Sequence, residues 1–104
     1  MPAEVEGVSY RDPASGVTYK VEIDGRHIRA LTADGKPLWR HDPFVEGKLE
    51  PYRQARPTIY WIGPFHDWSK DHKFDPQHLG VSFTSSQFGR MDVKTGAFAF
   101  MGQD

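Results

Sequence analysis

The sequence predicts an all-β or mainly β domain: a small antiparallel β-meander plus a C-terminal hairpin, closed as a barrel or a two-layer sandwich, with at most one short helical turn. Three features carry this reading. Val17–Ile23 (VTYKVEI) alternates strictly, with Val17, Tyr19, Val21 and Ile23 on one face and Thr18, Lys20 and Glu22 on the other, the period-two signature of a half-buried strand. Tight glycine turns at Asp24-Gly25, Asp34-Gly35 and Thr95-Gly96 separate short extended runs. No long stretch sustains the helical period. At 104 residues the chain has the size of one domain with one core, covering residues 1–104.

Taken in order, Gly7–Arg11 reads as a short strand, and Asp12-Pro13-Ala14-Ser15-Gly16 as a turn built from residues that favour turns for backbone reasons. Val17–Ile23 follows. Asp24-Gly25 returns the chain through Arg26–Thr32, with Ile28 and Ala30 on one face, and Asp34-Gly35 turns it again into Pro37–His41. Asp42–Arg56 holds two prolines, a glycine and no steady period, so it reads as an excursion with one helical turn at most. Thr58–Ile62 is an apolar run between prolines and suits a strand covered on both faces. Phe65–Leu79 reads as a long polar loop rich in histidine, with a helical turn starting at Asp75-Pro76 through an N-cap and an N1 proline. Gly80–Ser85 alternates again, and Gln87–Gln103 closes the chain as a hairpin whose return strand carries Phe100, as Pro37–His41 carries Trp39. Both aromatics are expected in the core.

The hairpins Arg26–Asp42 and Gln87–Gln103 superpose without gaps when Asp34-Gly35 is set on Thr95-Gly96, which matches Arg29 with Arg90 and Trp39 with Phe100. Ala33–Trp39 (ADGKPLW) resembles the end of a quinoprotein-type β-propeller blade. A closed propeller needs about four blades of about 40 residues, more than this chain holds.

Composition narrows the function classes. Lysine and arginine total 13 against 14 acidic residues, without the basic excess that phosphate neutralisation demands of a nucleic-acid binder. The same balance argues against an anionic membrane surface, and no apolar run approaches the roughly 20 residues of a spanning helix. There is no cysteine, which excludes disulfides, thiolate metal sites and cysteine nucleophiles. The start lacks a basic segment followed by an apolar one, so a cytoplasmic location is expected.

Two groups of residues carry chemistry. His66, Asp67, His72 and His78 lie within thirteen positions, and imidazole and carboxylate together suit a divalent metal once thiolates are gone. Their spacing matches neither an i, i+4 pair on a helix nor an alternating pair on a strand, and no HExxH or GxSxG element occurs. The second group is Tyr52, Arg53, Arg56, Tyr60, Trp61 and Trp68. Aromatic residues and arginine dominate binding hot spots, because they bring large area at low rotamer cost together with a polar handle. The sequence therefore points to a non-enzymatic binding module, an inhibitor of the immunity type or an assembly adaptor, that needs no cofactor and meets another protein or itself. A metal-dependent protein using residues 66–78 and a small-ligand binder with an aromatic pocket are the alternatives.

Overall fold

The computed structural model describes residues 8–51, 55–67, 71 and 73–103. The fold is mainly β, in two four-stranded antiparallel meanders. The first comprises β1 (Ser9–Arg11), β2 (Thr18–Val21), β3 (Ile28–Leu31) and β4 (Pro37–His41). A one-turn helix α1 (Pro43–Glu46) leads to the second, comprising β5 (Ile59–Asp67), β6 (Lys73–Phe83), β7 (Gln87–Asp92) and β8 (Phe98–Gln103). In each sheet the strands lie side by side in chain order. The two sheets pack as a sandwich and do not close into a barrel. The C-terminal hairpin is thus the second half of a full meander.

One apolar cluster joins the layers. The first sheet supplies Tyr19, Ile28 and Ala30, the helix Phe44, and the second sheet Ile59, Ile62, Leu79, Val81, Phe83 and Met91. Register explains the aromatic stack within it. Tyr10, Tyr19, Ala30 and Trp39 face one another across β1 to β4. Because the middle member is only a methyl group, Tyr19 and Trp39 meet above it at 5.9 Å between ring centroids, and Tyr10 stacks on Tyr19 at 6.3 Å. Burial pushes the Tyr19 phenol up to about 12, aided by the negative charge of Asp12.

The layers are fastened at two ends. At one, the Trp39 indole N–H donates to the Val93 carbonyl at 3.0 Å. Beside it, His41 places Nδ1 2.6 Å from the Glu46 carboxylate and Nε2 2.9 Å from the Thr95 carbonyl, linking β4, α1 and the β7–β8 turn. Each neutral imidazole tautomer has one N–H, so only the imidazolium donates to both acceptors together. At the other end the β2–β3 turn docks on the entry to β5. The Ile59 amide donates to the Gly25 carbonyl at 2.8 Å, the Arg26 Nε to the Pro57 carbonyl at 2.7 Å, and the Arg56 guanidinium to the Asp24 carbonyl at 3.0 Å.

Several sequence expectations change in detail. Ile23 lies 86% exposed, because β2 ends at Val21 and the Glu22 amide already bonds to the His27 carbonyl across the turn. Of the expected loop, the described residues 66–67 and 73–78 are strand instead: His66 pairs with Phe74 and Asp67 with Lys73, so β5 and β6 run on as a hairpin. No helical turn begins at Asp75-Pro76, which lies inside β6. Pro76 is tolerated there because it falls in the register break with β5 and before the pairing with β7 begins at His78. Phe100 is 43% exposed, while Trp39 packs against the core as expected. Among the described residues no helix is long and apolar enough to cross a membrane.

The two hairpins aligned from sequence turn differently. In the Gly35 turn the Thr32 amide meets the Lys36 carbonyl, enclosing three residues, whereas in the Gly96 turn the Asp92 amide meets the Ala97 carbonyl, enclosing four. The true match of the Gly96 turn is the first turn of the chain. Asp12 and Asp92 each accept a glycine amide four residues on, and each uses its carboxylate to hold the amide two residues on. Ser15 and Thr95 occupy equivalent places, with hydroxyls accepting from the Val17 and Ala97 amides.

Gly35 and Gly96 adopt similar left-handed backbones, φ 88° and 81°, but their surroundings differ. Nothing lies within 4 Å of a Cβ built at Gly35, whereas one at Gly96 would overlap the His41 ring and come 2.8 Å from Trp39. Gly35→Ala is therefore expected to cost about 1 kcal/mol from backbone strain alone, and Gly96→Ala clearly more, because the fastening at His41 and Trp39 must open. Urea denaturation of the two variants checks this, and equal losses would contradict it.

Candidate functional site

The outer face of the second sheet is built by three rows of cross-strand neighbours. Ile62 and Val81 point into the core, so the flanking Trp61 and Ser82 point outward. The first row runs Trp61, Ser82, Phe88, Gly102. The second runs Gly63, Gly80, Arg90, Ala99. The third places His78 opposite Asp92.

The glycines of these rows are seats for rings. A Cβ at Gly63 would come 2.6 Å from Trp61 Cζ2, and one at the paired Gly80 3.0 Å from Trp61 Cζ3. The indole therefore lies down on the backbone of both strands, one face on the sheet and the other open, with 42% of the residue exposed. Phe88 rests in the same way against Gly102, where a Cβ would come 3.1 Å from Phe88 Cζ, and Phe88 is 40% exposed. Two aromatic rings thus flank Ser82 on a floor with few side chains.

A polar cluster borders this aromatic row. The Arg90 guanidinium lies 5.6 Å from the centroid of Phe65, and Phe65 meets the His78 ring edge-on at 6.1 Å. His78 Nδ1 sits 2.8 Å from Asp75 Oδ2, while Asp75 Oδ1 accepts the Gln77 amide at 2.9 Å. Burial pushes the Asp75 carboxyl up, yet the Gln77 amide, His78 and Arg90 outweigh it and hold the group below its ordinary value. Asp92 is held low chiefly by the Lys94 and Thr95 amides. A carboxylate that orients an imidazole is half of an acid–base arrangement. Among the described residues, however, no side-chain hydroxyl bonds to His27, His41 or His78.

The residues singled out from sequence distribute as follows. Trp61 stands at the centre of this face. Tyr60 lies at a register irregularity of β5 and is 59% exposed. Arg56 serves the fold through its bond to the Asp24 carbonyl. Tyr52, Arg53, Trp68 and His72 lie outside the described residues. His66 sits opposite Phe74, across a register break of the β5–β6 ladder from His78. Asp67 pairs with Lys73 beyond it. Sequence reasoning noted the stretch Ser85–Arg90 as a strand edge or bulge but did not join Phe88 and Arg90 to Trp61, nor see the glycine seats, because these converge only through the register of the strands.

Among the described residues the one grouping with metal-ligand geometry is Glu22, Asp24 and His27, whose ligand atoms lie within 4.8 Å of one another. Its carboxylates are already engaged by cations and amides. Arg40 grips Glu22 with two bonds of 2.8 and 2.9 Å, and Arg29 approaches to 3.6 Å. Asp24 accepts the Arg26 and His27 amides through Oδ1 and meets His27 Nδ1 through Oδ2 at 2.5 Å. The trio locks the β2–β3 turn. Comparison with protein families, curated proteins and solved structures finds no match for this chain.

This turn network sets a pH response. Arg40 holds the Glu22 carboxyl low. For Asp24, burial raises the carboxyl, but the two amides and His27 bring it well below the usual carboxylate range. Groups with depressed folded values contribute fully above the unfolded values, about pH 4, and lose that contribution as pH falls toward the folded ones. Tm is therefore expected to stay level above about pH 5 and to fall steeply below about pH 4. Asp24→Asn should lower Tm at neutral pH and flatten the acid slope. An unchanged slope in that variant would contradict the assignment.

Proposed function

We propose that this protein is a non-enzymatic binding module that docks on another protein through the outer face of its second sheet. The observation that carries the reading is the placement of Trp61 and Phe88, large aromatic rings left open to solvent on glycine seats. Rings held in one orientation lose little freedom on binding, so more of their contact area appears as affinity. Around them Arg90, His78, Asp75 and Asp92 form a rim of mixed charge. An apolar centre with a polar rim is the anatomy of a protein interface, and tryptophan and arginine are its characteristic anchors. The near balance of charge over the whole chain fits a protein partner better than a polyanion.

The metal reading has less support, since no grouping with metal-ligand geometry among the described residues includes His66, Asp67 or His78, and the Glu22 trio is already engaged by arginines. A pocket for a small ligand would need walls around Trp61, whose ring lies open on the sheet, and one open cleft among the described residues lies beside Phe100 instead.

A Trp61→Ala, Phe88→Ser double variant is expected to keep its Tm within a few degrees while losing about 100-fold or more in affinity for a stoichiometric partner, the scale of removing two hot-spot aromatics. Affinity capture with the wild type, followed by titration of the captured partner against both proteins, measures this. Equal binding by the double variant would refute the docking surface. Turnover in a hydrolase screen would refute the non-enzymatic assignment.

A further inference from the structure

Four strands lie at sheet edges: β1, β4, β5 and β8. Three carry features that discourage pairing with another chain. β1 is three residues long and ends in Arg11, β4 contains Pro37 and Arg40, and β5 contains Pro64 and two register shifts. β8 differs. Its sequence, Phe-Ala-Phe-Met-Gly-Gln, holds no charge and no proline, and Phe100 and Met101 are exposed.

The ladder shows where its backbone points. The Asp92 amide bonds to the Ala97 carbonyl at 2.9 Å, which makes this a hydrogen-bonded pair. Pairs alternate along an antiparallel ladder, so Arg90–Ala99 is hydrogen-bonded, and Met91–Phe98 and Gly89–Phe100 are not. The N–H and C=O groups of Phe98 and Phe100 therefore aim at the open edge, and among the described residues they have no partner. The one irregularity, between Phe88 and Gly89, falls at Met101 and leaves Phe98–Phe100 straight. Alongside, the Phe100 side chain forms a wall of an open cleft of about 340 Å³, shared with Gly47–Pro51 and Gln103.

We propose that β8 pairs antiparallel with β8 of a second copy of this chain, joining two second sheets across a twofold axis near Phe100. An extended strand would satisfy the outward N–H and C=O groups together. The edge is also its own complement: Phe100 is both the side chain presented and a wall of the cleft that receives its twin, as an isologous contact requires. A twofold axis sets like residues near one another, and an uncharged strand does so without repulsion. The pairing leaves the Trp61 face open on both copies and is independent of the docking proposed for it.

Sedimentation velocity over about 1 μM to 1 mM, the affinity span of small interfaces, tests the proposal. The wild type is expected to rise from the monomer mass to twice that mass. Phe100→Lys, which sets two ammonium groups at the axis, should stay monomeric throughout. Phe100→Pro removes an N–H that the β7 ladder does not use, and should also stay monomeric with an unchanged circular dichroism spectrum. Trp61→Ala should dimerise as the wild type does. A wild type that remains monomeric at every concentration overturns the proposal, including one that instead captures a foreign peptide strand. Dimerisation of Phe100→Lys with wild-type strength overturns it as well.

Discussion

Aromatic rings set directly against glycine backbone are the contact on which both the sandwich and its open face depend. Inside, Phe98 lies where a Cβ at Gly47 would come 2.7 Å away and one at Gly89 2.5 Å away, so the helix exit, β7 and β8 close around one ring. At the end of the sandwich, Gly96 makes room for Trp39 and His41 to reach across from the first sheet. Outside, Gly63 and Gly80 seat Trp61. Aliphatic residues are modest in number here, and flat packing of rings on bare backbone lets few side chains cover much surface.

A second recurring device is the carboxylate used as a local backbone acceptor. Asp12, Asp24, Asp42, Asp75 and Asp92 each accept a backbone amide two residues on. Two of them, Asp24 and Asp75, also hold a histidine three residues on, at 2.5 and 2.8 Å. His27, His41 and His78 divide among structural tasks, and of the metal candidates His78 is one of them. His27 belongs to a turn, His41 fastens the sheets, and His78 is oriented by Asp75 at the rim of the aromatic face. What unites Asp12, Asp24, Asp42, Asp75 and Asp92 is local chemistry in which a short polar side chain mimics a backbone acceptor.

Much of this was legible in the sequence. Period two located β2 and placed Tyr19 inward, and the glycine turns divided the chain into short strands joined as meanders. The single helical turn after Asp42 fell within the predicted excursion, and its N-cap role follows from aspartate before proline. The same dipeptide misled at Asp75-Pro76, where the carboxylate binds Gln77 and His78 within a strand instead of starting a helix. Ile23 continued the alternation of its strand but not its burial, because the turn begins one residue earlier. The aromatic face was half visible. Trp61 was picked out by residue type, yet its seats and its neighbour Phe88 lie 2 to 27 residues away along the chain, and only cross-strand register brings them together.

The outer aromatic face thus rests on one arrangement of the second sheet, paired glycines under an indole. That arrangement has a direct spectroscopic consequence. Protons above the face of an indole ring are shielded, so the Hα resonances of Gly63 and Gly80 are expected well upfield of ordinary glycine values and should return to them in Trp61→Ala. Assigned proton spectra of the wild type and of that variant make the measurement. Glycine Hα shifts in the ordinary range, unaffected by the substitution, would contradict the account.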